Sequence, residues 1–62
     1  MMKTNVEVLQ DVYQTALKKG DIGYVDGYVQ GADDRPYVVV VIPATGIIDL
    51  CMNHQLKYIG LE

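Results

Sequence analysis

Apolar side chains are most concentrated in Tyr37-Val38-Val39-Val40-Val41-Ile42, which is almost entirely β-branched. Arg35-Pro36 precedes this run and Pro43 closes it. Its length, branching and punctuation predict a central β-strand. Val38, Val40 and Ile42 take one side of it; Tyr37, Val39 and Val41 take the other. Ahead of it, residues 22–30 alternate. Val25 and Val29 share a side with Gly23 and Gly27, while Ile22, Tyr24, Asp26, Tyr28 and Gln30 point the opposite way. The glycines allow bending and close backbone approach within a strand. Gly31-Ala32-Asp33-Asp34-Arg35-Pro36 is polar and ends in Pro, so it reads as a hairpin connection. Pro43-Ala44-Thr45-Gly46 is a second turn. Ile47–Met52 reads as a fourth strand, with Ile48, Leu50 and Met52 opposite Ile47, Asp49 and Cys51. Asn53-His54-Gln55 suits a single 3₁₀ turn, and Leu56-Lys57-Tyr58-Ile59-Gly60 a last short strand.

Two readings compete over residues 1–20. As a helix, Thr4 is the N-cap and Glu7 completes a capping box. Val6, Leu9, Val12, Tyr13, Ala16 and Leu17 then share a face, Lys18 and Lys19 suit the negative end, and Gly20 stops the helix. As a strand, Asn5-Val6-Glu7-Val8 alternates and the chain loops through Asp11–Lys18 to the next strand.

Local sequence resemblance bears on that choice. Leu17-Lys18-Lys19-Gly20-Asp21 resembles the L-x-x-K-K-G-D run that leads SH3 domains into their second strand. Leu9-Gln10-Asp11-Val12-Tyr13 resembles the A-L-Y-D-Y stretch ahead of it. Gly46-Ile47-Ile48-Asp49-Leu50 stands where such domains carry G-x-x-G-x-I/F-P, and Asn53-His54-Gln55-Leu56 where they carry a 3₁₀ turn. The resemblance covers Val6 to Ile59 and extends to KOW-type modules. It implies a mainly β chain, a five-stranded SH3-like barrel forming one domain over residues 1–62. The alternative is α+β, with an N-terminal helix at about 4–19 packed on a small antiparallel sheet.

Size narrows what can stabilise such a fold. Sixty-two residues bury only about 60% of their unfolded surface, so small domains lean on disulfides, metals or self-association. Cys51 is the sole cysteine and His54 the sole histidine. Neither an internal disulfide nor a structural zinc site can be built from them within one chain, which leaves self-association. A net charge of −3 argues against broad phosphate-backbone binding. Met1-Met2-Lys3-Thr4-Asn5 is polar, unlike a signal peptide, and no apolar run approaches the ~20 residues of a membrane span. The expected location is the cytoplasm. Size and charge suit a bacterial, phage or mobile-element product.

Few residues point to chemistry. Asp21, Asp26, Asp33 and Asp34 crowd one region with Arg35, but their spacing matches no EF-hand loop and Asp33-Asp34 belongs in a hairpin turn. Cys51 and His54 lie three apart, yet nothing around them lowers a thiol pKa. No cofactor or metal is implied. All five aromatics are tyrosines: Tyr13, Tyr24, Tyr28, Tyr37 and Tyr58. With Val25 and Val29 inside, Tyr24 and Tyr28 point outward. The second apolar side of the 37–42 strand also needs cover, from the N-terminal segment, a second copy or a partner peptide. Tyr24, Tyr28, Tyr37, Val39 and Val41 are therefore candidate interface residues.

Three functions follow. The first is a small non-catalytic protein-interaction module that self-associates, as a homodimer or with another protein. Proline-rich peptide binding of the SH3 kind lacks its Trp, and Met52-Asn53-His54-Gln55 replaces its Pro and Tyr; only Tyr13 carries over. The second is a nucleic-acid-associated KOW-like module using Lys3, Lys18, Lys19 and Lys57, which the acidic turn opposes. The third is an oligomeric SH3-like enzyme with its site at a symmetry axis, as in the plasmid-borne type of dihydrofolate reductase. The V-Q-I-Y pore motif of that family is absent; Ile47-Ile48-Asp49-Leu50 occupies the matching strand.

Overall fold

The computed structural model describes residues 3–61. The chain is mainly β, as the alternation predicts. The strands are β1 (Thr4–Val8), β2 (Ile22–Gln30), β3 (Pro36–Ile42), β4 (Ile47–Cys51) and β5 (Leu56–Leu61), with one 3₁₀ turn at Asn53–Gln55 ahead of β5. All belong to one antiparallel sheet in the order β4-β3-β2-β1-β5. Each of β1, β2 and β3 therefore pairs on both sides, while β4 and β5 are edges. The expected barrel is left open, because no ladder joins β4 to β5.

The N-terminal helix expected as the alternative does not form. Val6 and Val8 are both fully buried, a period of two that only a strand can present to one side. Leu9 and Tyr13, which a helical stripe would bury, are exposed. Gly20 does not end a helix. It closes the base of the loop over residues 9–21, at φ +93°, with its N–H donating to the Val8 carbonyl at 2.8 Å. Two apolar anchors, Val12 and Leu17, drop from this loop into the core. Between them the Val12 N–H donates to the Leu17 carbonyl at 3.1 Å and the Thr15 hydroxyl to the Val12 carbonyl at 2.9 Å. The Lys18 N–H donates to the Asp21 carboxylate at 3.0 Å, tightening the turn into β2.

A single core joins the two ends of the sheet. Val6 and Val8 of β1 and Leu56 of β5 cluster with Val38, Val40 and Ile42 of β3 and Cys51 of β4. β3 thus contributes alternate side chains to the interior, as its pattern predicts. β2 does not keep one phase. Val25 pairs with Val40 but Gly27 pairs with Val39, so Asp26 is an extra residue in a β-bulge. Beyond the bulge the faces exchange: Tyr24 shares the outer face with Val41, whereas Tyr28 lies on the core side opposite Val38. The expected common face for Tyr24 and Tyr28, and for Val25 and Val29, is corrected by this one inserted residue.

At Gly23 a strand side chain is excluded by packing. A Cβ there would lie 2.1 Å from the Val41 carbonyl oxygen and 2.7 Å from the Ile42 Cδ1 atom. Gly27 has nothing within 4 Å of the same position. Gly23→Ala is expected to destabilise the fold by about 2–3 kcal/mol in urea unfolding, as overpacking does. Gly27→Ala should change stability by less than about 1 kcal/mol, and equal losses for the two would contradict this packing.

Candidate interaction surface

The register of the ladders assembles an apolar face on the outside of the sheet. Val41 lies between Tyr24 on β2 and Ile48 on β4; Val39 lies between Gly27 and Leu50; Tyr37 lies opposite Val29. Val39 and Val41 are half-buried by these neighbours, while Ile48 is 66% exposed, Ile22 52% and Leu50 39%. Across β2, β3 and β4 the regular outer positions carry no charged side chain; the exposed Asp26 stands at the bulge. The face turns polar toward β1 and β5, where Asn5, Glu7 and Lys57 occupy the corresponding positions. Lys3 stretches its ammonium to 4.4 Å from the centre of the Tyr24 ring, a cation–π contact that marks the rim of the patch.

Tyr24, Tyr37, Val39 and Val41 are thus brought together as one surface. Tyr28 is not part of it. The missing members were Ile22, Val29, Ile48 and Leu50. Their alternation is visible in the sequence, but whether Ile48 and Leu50 face in or out depends on the pairing of Ile42 with Ile47 across the Pro43–Gly46 turn.

Tyr28 instead borders a cleft of about 520 Å³ between the β2–β3 hairpin and the 3₁₀ turn, lined also by Pro36, Val38, Met52 and His54. Nearby, the Tyr58 hydroxyl donates to the Asn53 side-chain oxygen. Burial raises the Tyr58 pKa above the usual phenol range, and the neighbouring Tyr28 adds to the shift. A second cleft, of about 400 Å³, runs between the 9–21 loop and the end of β4. Tyr13 stands on its wall, 87% exposed, with Met52 and Gln55 opposite. The Met52 N–H donates to the Gln55 side-chain oxygen at 2.8 Å, so Gln55 is occupied in holding the turn.

Asp21, Asp33 and Asp34 have separate structural partners. Asp33 accepts the Tyr37 hydroxyl at 2.8 Å, and that bond holds its carboxyl below the usual range while raising the Tyr37 phenol. The exposed Arg35–Asp33 ion pair, 3.9 Å apart, contributes little in open solvent. Asp21 takes the Lys18 N–H, and Asp34 accepts from the Gln30 side chain at 3.2 Å. Among the described residues no three His, Cys, Asp or Glu side chains come together as a metal site.

Cys51 and His54 part company: the thiol is buried in the core and the imidazole is exposed. Burial, reinforced by the Asp49 carboxylate, pushes the Cys51 thiol up to about 11. A buried, protonated thiol is a poor nucleophile. Comparison with known proteins returns no matching family model, no matching curated protein and no matching solved structure. Among the described residues no helix is long and apolar enough to cross a membrane.

The raised thiol has a consequence for stability. Its stabilising effect is complete below the ordinary thiol value of 9.0 and is lost as pH rises through the folded value of about 11, because the unfolded chain releases the proton first. Stability should therefore fall across that window, by up to about 2–3 kcal/mol from this group. Urea unfolding of the wild type against Cys51→Val checks it: the variant should lose that part of the alkaline slope, and identical slopes would contradict it.

Proposed function

We propose that this chain is a non-catalytic protein-interaction module of SH3-like type whose outer β2–β3–β4 face is a self-association surface. Support for the SH3-like reading comes from the strand order β4-β3-β2-β1-β5, the long loop after β1 and the 3₁₀ turn before β5. The observation that carries the functional reading is β3 itself. Val38, Val40 and Ile42 fill the core, while Val39 and Val41 lie beneath an exposed apolar layer on the opposite side. Among the described residues nothing covers that layer: the 9–21 loop inserts Val12 and Leu17 into the core on the other side of the sheet.

Contiguous apolar patches of a few hundred Å² on small domains mark contacts, and tyrosine beside aliphatic side chains is an interface composition. A contact three strands wide lies at the low end for specific interfaces, below about 1,200 Å² in total, where association is weak and reversible. The dimer expected is accordingly one that forms at micromolar to millimolar concentration rather than an obligate one.

Sedimentation over that concentration range tests the reading. The wild type should shift from monomer to dimer, and Val39→Asp should remain monomeric while keeping a β-type circular dichroism spectrum. Burying an unpaired carboxylate is costly, so if Val39 faced the interior the same variant would unfold instead. A wild type that stays monomeric at millimolar concentration contradicts the proposal.

A further inference from the structure

The 9–21 loop is bonded mostly to itself. The Val12 N–H donates to the Leu17 carbonyl at 3.1 Å, the Thr15 N–H to the Val12 carbonyl at 3.2 Å and the Leu17 N–H to the Thr15 hydroxyl oxygen at 3.0 Å. The Lys19 N–H donates to the Asp11 carboxylate at 2.9 Å and the Lys18 N–H to that of Asp21 at 3.0 Å, so these acceptors belong to the loop as well. Its two ends are fixed. The Gly20 N–H donates to the Val8 carbonyl at 2.8 Å, the Val8 N–H to the Asp21 carbonyl at 2.9 Å and the Leu9 N–H to the Gln55 carbonyl at 2.9 Å.

Between those ends, among the described residues, one hydrogen bond leaves the loop. The Ala16 N–H donates to the Asp49 carboxylate of β4 at 3.0 Å. The other oxygen of that carboxylate accepts the Leu50 N–H at 3.1 Å, which steadies it on the strand. The rest of the attachment is apolar: Val12 and Leu17 enter the core, where they join Cys51. Cys51 is 1% exposed and lines the same cleft as Val12, Thr15 and Asp49. At the far end of the loop Gln14 holds φ +61°, a strained conformation for a residue with a Cβ. A segment with fixed ends, its own internal bonds and one outside latch opens at lower cost than β3, which is paired on both sides.

We infer that residues 10–19 form a flap that swings from the sheet as a unit, hinged at Leu9 and Gly20 and latched by Asp49, and that its opening uncovers Val12, Leu17 and the Cys51 thiol. The latch is a charge-assisted hydrogen bond, stronger than its neutral counterpart, so Asp49 sets how often the flap opens. The motion takes place on the core side of the sheet and does not depend on what the outer β2–β3–β4 face contacts.

Alkylation of Cys51 by iodoacetamide in the folded full chain, followed by mass spectrometry beside amide hydrogen exchange by NMR, tests this. Labelling through a transient opening tracks the population of the open form when reclosing is fast. In the wild type Cys51 should react faster than global unfolding, read from the slowest β3 amides, allows. Asp49→Ala should speed the reaction roughly tenfold, as loss of one hydrogen bond to a charged group does. Asp49→Asn, which keeps a side-chain acceptor, should speed it less. The Val12 and Val40 amides should keep their protection in both variants, because the flap's own bonds and the sheet stay whole. A Cys51 reaction that rises only in step with Val40 exchange means global unfolding and overturns the inference. Loss of protection at Val12 together with faster labelling means that the loop melts instead of swinging, which overturns it too. Labelling that Asp49→Ala leaves unchanged removes the latch and the inference with it.

Discussion

One strand with two apolar sides governs this molecule. β3 runs through the middle of the sheet, paired with β2 and β4, and its valines cannot all be placed inside. The interior takes Val38, Val40 and Ile42; geometry then commits Tyr37, Val39 and Val41 to the outside, because side chains in a strand alternate. The outer set is softened rather than hidden. Ile48, Leu50 and Tyr24 flank it, trading exposure of the β3 valines for their own. A water-facing sheet in an antiparallel fold normally carries polar residues on that side, and here the polar positions are confined to β1, β5 and the bulge at Asp26. The fold and its proposed partner surface thus arise from the same six residues.

The interior side shows how a chain this short completes a core without a helix. The 9–21 loop acts as a lid that contributes Val12 and Leu17, and its backbone is held by side chains instead of a ladder: Thr15 within the loop, Asp11 to the Lys19 N–H, Asp21 to Lys18 and Asp49 to Ala16. Asp11, Asp21 and Asp49 thereby serve as hydrogen-bond acceptors for an irregular segment, whose amide groups need partners as much as those of any strand. The bulge at Asp26 plays a comparable part on β2. It turns Tyr28 toward the core side at the sheet's end, where it borders the cleft beside the 3₁₀ turn.

Much of this architecture was legible in the sequence. The β3 run, the two turns that flank it, the 3₁₀ turn at Asn53–Gln55 and the β4 alternation are all written in local patterns of β-branched residues, proline and glycine. The N-terminal segment was less legible, since Val6, Leu9, Val12, Tyr13, Ala16 and Leu17 satisfy a helical period. What decides for a strand is pairing of β1 with both β2 and β5, a long-range interaction that no window of the sequence displays. The candidate surface was legible in its centre, Val39 and Val41, and not at its margins. A single inserted residue at Asp26 reverses every later side chain of β2, so Tyr28 turns to the core side and Val29 to the outer one, which alternation alone does not show. Ile48 and Leu50 required knowledge of which β4 face turns inward, and that follows from the register set by the Pro43–Gly46 turn.

The most direct measurement is the midpoint of thermal unfolding over a hundredfold range of protein concentration. A face that binds a second copy in the folded state alone links folding to association, so the midpoint should climb with concentration, by roughly 4–8 °C for each kcal/mol of added stability in a domain of this size. The climb should disappear when Ile48 is replaced by Asp. A wild-type midpoint that is flat across the whole range would mean that the outer side of β3 is ordinary surface, and would contradict the central claim that this strand is built to be covered on both sides.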